Sequence, residues 1–171
     1  MRHLIDTAVG QVGRLISDLR PSLCDLEGLW IALETQVRDF SRCGDVSCRW
    51  SIDITPGLKA PHGPLAKAVC GIFHELLDNV VRHACASEVE IRISATPSDI
   101  TLVVKDNGRG APPSVFDSRD ANGVIAMRER VGQFGGWLHI DSHLGSGTTV
   151  ILTMPLYQET NVPPQLNPSA A

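Results

Sequence analysis

The 171 residues suit one domain of ordinary size, and a hydrophobic content of 43% is ample for a core. The net charge of −4, with Lys and Arg scattered, leaves no basic footprint, so no nucleic-acid partner is expected. No apolar run approaches a membrane span and no signal peptide opens the chain, which points to a cytoplasmic location. The five cysteines (Cys24, Cys43, Cys48, Cys70 and Cys85) are odd in number and lack metal-ligand pairing. Cys43 and Cys48 could form a redox pair, but reduced structural thiols are the expectation.

In chain order, Leu4, Ile5, Ala8, Val12, Leu15, Ile16 and Leu19 form a helical stripe ended by Pro21. It is too narrow to stand alone and calls for a partner helix that this chain lacks. A second helix is expected from Asp25 to about Phe40, with Leu29, Ala32, Leu33, Val37 and Phe40 inward. Val46, Cys48, Trp50, Ile52 and Ile54 then alternate with polar residues, as in a half-buried strand. Two Pro/Gly clusters, Thr55-Pro56-Gly57 and Pro61-His62-Gly63-Pro64, lead to the central helix.

That helix holds the densest set of charged and amide groups in an apolar setting. At about 100° per residue, Leu65, Val69, Ile72, Phe73, Leu76, Val80 and Ala84 share one broad face. Glu75, Asn79 and Arg82 fall on one flank of it and His83 at its edge, while Lys67, His74 and Asp78 lie opposite. A carboxylate and an amide four residues apart, half facing the core, suit a hydrated Mg²⁺ and the phosphates it carries. A solvated helix edge with an i,i+4 polar pair is the alternative.

Val89, Ile91 and Ile93 alternate in a further strand, and Thr96-Pro97-Ser98-Asp99 turns it into a hairpin with Ile100 to Lys105. Asp106-Asn107-Gly108-Arg109-Gly110 follows. An Asp leaving a strand there accepts hydrogen bonds only, which matches an exocyclic amino group such as that of adenine, and the glycines let the backbone pass close beneath a flat ring. The alternative is an Asp capping a glycine turn. Residues 111–122 lose all periodicity, and a loop that long inside a compact domain is usually functional. Gly123 opens a short helix to about Phe134, either an ordinary start or a phosphate site at the positive end of a helix dipole. Trp137 to Asp141 and Thr148 to Met154 are two strands joined through Gly145-x-Gly147-Thr148, a plain hairpin or one whose Thr hydroxyl meets a pocket. There is no internal repeat. Helices on one face of a mixed, largely antiparallel sheet result, an α+β architecture.

Taken together, Glu75-x₃-Asn79, Asp106-x-Gly108-x-Gly110, Gly123 and Gly145-x-Gly147-Thr148 resemble the N box, two glycine boxes and closing Gly-x-Gly-Thr of the GHKL ATPases over roughly residues 46–156. Met127-Arg128-Glu129-Arg130-Val131, Asn79-x-x-Arg82-His83-Ala84 and Ile16 to Leu23 are similar to sensor histidine kinases that partner LuxR-type response regulators. The resemblance implies a two-layer α/β sandwich that binds Mg²⁺–ATP and donates the γ-phosphoryl to a histidine on a dimeric helical hairpin. It implies that Asn79 holds Mg²⁺, that Glu75 orders its water shell, and that both serve catalysis. Arg82 and His83 would face the phosphates, and Asp106 would receive the adenine amino group. Gly108 and Gly110 would lie at the base, Gly123 and Val124 in the lid, and Thr148 at the back of the adenine site. Residues 1–22 would be the remnant of the second dimerisation helix, 23–156 the catalytic domain and 157–171 a disordered tail.

The sequence departs from that family at Ala121 and Ala126, where glycines are usual, and it has no Phe-rich box and no phosphoacceptor helix. His3 falls where the second hairpin helix should be and is read as structural or exposed. The chain therefore looks like a monomeric fragment of a homodimeric parent kinase, with or without a membrane anchor, and unable to autophosphorylate alone. An anti-sigma-type serine kinase on the same fold and a degenerate nucleotide-binding interaction module are the rival expectations.

Overall fold

The computed structural model describes residues 28–42, 46–116 and 122–156. Their elements are α1 (Leu29–Arg42), β1 (Ser47–Ile54), α2 (Gly63–Asn79), a π-turn (Val80–Ala84), β2 (Glu88–Ala95), β3 (Asp99–Asp106), a short 3-10 turn (Pro113–Val115), α3 (Asn122–Gln133), β4 (Trp137–His143) and β5 (Gly147–Pro155). The expected dimerisation helix and tail, with His3, Cys24, Cys43 and Ala121, lie outside the described residues.

The five strands form one sheet in the order β1-β2-β3-β5-β4. The β1–β2 pair is parallel, since α2 carries the chain back between them, and the other three pairs are antiparallel. The expected mixed sheet is present. Val89, Ile91, Ile93 and Ala95 of β2 and Ile100, Leu102 and Val104 of β3 are buried toward the helices, while their alternates point outward. Pairing stacks these side chains in rows: Leu102 opposite Leu152 and then Leu138, Val104 opposite Val150 and then Ile140.

Pro64 sits in the first turn of α2, where its missing N–H leaves no bond unmade. The whole expected apolar face of this helix is buried. Ala66, Ala68, Cys70 and Leu77 are buried too, because α1 packs on α2 with Leu29, Ala32, Leu33 and Val37. Gly28 has φ +87 and α1 starts at Leu29, whereas the expected start at Asp25 lies outside the described residues.

Three expectations need correction. Trp50 lies in register with the buried Ile91 but is 38% exposed, because β1 is the sheet edge and the helix layer does not cover it there. The central helix is not one α-helix to Ala84: it widens into the π-turn after Asn79, and Cys85 turns left-handed at φ 51. The 100° projection therefore fails for Arg82 and His83. Cys70 is disulfide-bonded, whereas Cys48 and Cys85 are free. Burial pushes the Cys48 thiol up, away from a reactive thiolate.

Candidate functional site

The inward alternation of β3 continues from Val104 to Asp106, which is 6% exposed at the end of an otherwise apolar series. Its cross-strand neighbour is Thr148, and the neighbour of Thr148 on β4 is Ser142, itself 4% exposed. One end of the inner face is thus a polar row, Asp106–Thr148–Ser142, set directly after rows of Val, Ile and Leu. Asp106 Oδ1 accepts from the amides of Gly108 at 2.8 Å and Thr148 at 3.3 Å. Oδ2 takes no hydrogen bond from a described residue. The capping reading of Asp106 is thus met by one oxygen, and the other is left as an acceptor.

Gly108 and Gly110 are demanded by the protein before any ligand is considered. A β-carbon at Gly108 would come within 2.2 Å of the Ala84 carbonyl oxygen, and one at Gly110 within 2.0 Å of the His143 carbonyl oxygen. The loop is stapled by backbone alone: the Arg109 amide donates to Ala84 at 2.8 Å, and its carbonyl accepts from Gly145 at 2.7 Å. Asn107 caps the start of β2, its Oδ1 accepting from the amides of Ser87 and Glu88. The end of the π-turn, the glycine loop and the β4–β5 turn are thereby one unit. Sequence reasoning did not find Ser142 or these backbone ties.

Glu75 and Asn79 are half-buried on α2, and neither side chain is bonded to a described residue. Gly123, the second residue of α3, lies directly against Glu75: a β-carbon there would lie 2.9 Å from Glu75 Oε1. Val124 packs against the core, whereas Ala126 is exposed. Arg82 is exposed and pairs with Asp78 at 2.7 Å, so it is engaged within its own helix segment. His83 is exposed beside it. No group of three or more His, Cys, Asp or Glu among the described residues could hold a metal ion. Mg²⁺ does not require one, since it keeps most of its waters and takes one or two protein oxygens. The unbonded Glu75 carboxylate and Asn79 amide fit that demand.

The sequence pattern of the histidine kinase-, DNA gyrase B- and HSP90-like ATPases matches residues 66–158, and the chain belongs to that ATP-binding family. It is 30% identical over 163 residues to the signal transduction histidine-protein kinase/phosphatase DegS of Brevibacillus brevis, covering 93% of this chain and 40% of that protein. It is 27% identical over 153 residues to the nitrate/nitrite sensor protein NarX of Escherichia coli, covering 90% of this chain and 25% of that protein. The chain thus spans less than half the length of these relatives. The solved histidine kinase domain of a blue-light activated kinase from Erythrobacter litoralis shares the fold, with a TM-score of 0.55 at 22% identity over 76% of this chain and 60% of that one. Among the described residues, no helix is long and apolar enough to cross a membrane.

Proposed function

We propose that this chain is the ATP-binding catalytic part of a two-component sensor histidine kinase, and that it transfers the γ-phosphoryl of Mg²⁺–ATP to a histidine on a dimerisation hairpin. The observation that carries this reading is the buried carboxylate at the end of β3, where Asp106 Oδ1 is fixed by two amides with Oδ2 left over; between the helices, Gly123 lies against Glu75. The relatives named as histidine kinases supply the acceptor class.

In this reading Oδ2 of Asp106 accepts the adenine amino group, while Gly108 and Gly110 let the chain run beneath the ring. Thr148 closes the back of the pocket. Asn79 would hold Mg²⁺ and Glu75 would order its water shell. The ion held there would offset the charge that builds up in transfer, and the protein's part is positioning. Gly123 and Val124 present α3 amides to the triphosphate. Arg82 and His83 face the phosphates once Arg82 leaves Asp78, an exchange that costs little because an exposed i,i+4 pair is worth roughly 0.3–0.5 kcal/mol. The parent acts as a homodimer at the cytoplasmic side, with or without a membrane anchor, and relays to a LuxR-type response regulator.

Incubated with labelled ATP and Mg²⁺, the chain alone should stay unlabelled, while a separately prepared hairpin carrying the acceptor histidine should take the label. Acid-labile label on the chain itself would overturn the division of labour. ATP binding without transfer to any such hairpin would favour a degenerate binding module.

A further inference from the structure

We infer that Ser142 is a positioning residue for the purine, acting through a hydroxyl relay to Thr148; this rests on reading the Asp106 end of the sheet as the adenine site. Ser142 has three polar neighbours. Its Oγ accepts from the Ala111 amide at 2.9 Å, lies 2.9 Å from Thr148 Oγ1 and lies 3.3 Å from the Gly147 carbonyl. The cleft of 230 Å³ bounded by Pro113, Phe116 and Arg128 also reaches it, so the residue joins the glycine loop, the turn after it and β5.

A serine hydroxyl has one proton and two lone pairs. The Ala111 amide takes one lone pair, and the proton then has two claimants, Gly147 and Thr148. If it goes to Gly147, the contact at 2.9 Å must be filled by the Thr148 proton, and Thr148 offers its surroundings acceptors only. If Ser142 donates to Thr148, the Thr148 proton is released. The first arrangement fills both contacts, whereas the second keeps the 2.9 Å bond and gives up only the longer one to Gly147, so a ligand acceptor placed at Thr148 selects the second.

Adenine makes the choice matter. Its amino group donates, and the ring nitrogen beside that group only accepts. Asp106 meets the amino group, and Thr148, whose amide is tied to Asp106 Oδ1, is the neighbouring group on the sheet. A Thr148 hydroxyl turned toward the ring nitrogen, directly or through a water, leaves two oxygens 2.9 Å apart unless Ser142 supplies the proton between them. The Asp106–Thr148–Ser142 row therefore presents acceptor then donor, which is the complement of adenine and not of guanine.

The test compares ATP with 1-deaza-ATP, in which a C–H replaces that ring nitrogen, by titration with Mg²⁺. Wild type should prefer ATP by about tenfold, the scale of one directed hydrogen bond. Ser142→Ala should weaken ATP about fivefold while leaving 1-deaza-ATP within about twofold, so the preference shrinks. Thr148→Val should lose the same preference, and adding Ser142→Ala to it should cost nothing further. Equal losses for both nucleotides, with a lower melting temperature, would mean a purely structural serine and overturn the inference alone. No ATP binding by wild type overturns the adenine reading and the relay with it. Should Ser142→Ala not fold, Ser142→Cys keeps the size with a weaker donor and should narrow the preference in the same direction. An unchanged preference in that variant overturns the relay.

Discussion

The two hairpin turns at opposite ends of the sheet carry similar polar, turn-forming sequences and do different work. The β2–β3 turn is closed on itself: Thr96 Oγ1 accepts from the amides of Ser98 and Asp99, and the Thr96 amide donates to Asp99. Its tie outside is the Leu156 amide on the Ser98 carbonyl. The β4–β5 turn keeps one bond to itself, the Ser146 amide on the His143 carbonyl at 3.0 Å, and turns its other groups outward. Gly145 donates to Arg109, His143 packs its carbonyl on Gly110, and Gly147 lies under the Asp106 backbone. A turn that satisfies its own groups merely ends a sheet. A turn that leaves its groups for other loops assembles a site.

The sharpest way to break this contrast is Gly147→Ala. Its φ is +82 and a β-carbon would stand 2.0 Å from the Asp106 carbonyl oxygen, against backbone of Asp106 and Asn107 that cannot swing aside. Loss of about 3 kcal/mol or more is expected, a fall of roughly 10 °C in melting temperature, together with loss of ATP binding. A melt within a degree or two of wild type would show that the two turns are alike after all.

Next in size is Asp106→Asn, which keeps the shape but can turn a donor toward the ring. It should weaken ATP about tenfold to a hundredfold, at 1.4 kcal/mol per decade, and narrow the gap between ATP and GTP. Titration of both nucleotides beside a thermal melt reads it out. Lower stability with an unchanged ATP/GTP ratio would reduce Asp106 to a cap like those of the distant turn.

A smaller effect is expected at the start of α3. In Gly123→Ala the added carbon meets Glu75 Oε1 at 2.9 Å, the movable end of a side chain. Stability should change by under about 0.5 kcal/mol. The Mg²⁺-dependent part of ATP affinity should drop roughly fivefold as Glu75 is displaced by about 1 Å. Measuring affinity with and without Mg²⁺ separates this from general damage.

The smallest effect belongs to the far turn. Thr96→Ala removes exposed, neutral hydrogen bonds and should cost about 0.5–1 kcal/mol of stability with ATP affinity unchanged. A shift in ATP affinity there would end the distinction between the turns.

Short-range periodicity was enough to read the elements. The buried face of α2, the alternation in β2 and β3 and both hairpins follow from spacings of two to four residues, which chain geometry enforces locally. The inward place of Asp106 was legible for the same reason, as the next alternate after Val104. Ser142 had an equal signal in Leu138-Ile140-Ser142, but its meaning depended on which strand lay beside β4. The π-turn was not legible, because its widening is tied to the meeting of the Ala84 carbonyl with Arg109, a residue far along the chain.

The sequence by itself determined the elements, their buried faces and the residue types at the site, since all of these rest on local backbone geometry and side-chain polarity. Tertiary structure alone decided that Asp106, Thr148 and Ser142 stand in one row, that Gly123 touches Glu75, and that Arg82 pairs with Asp78. Those facts depend on strand order, register and helix docking. They are settled by burying apolar faces from distant segments together, and no local spacing encodes that outcome.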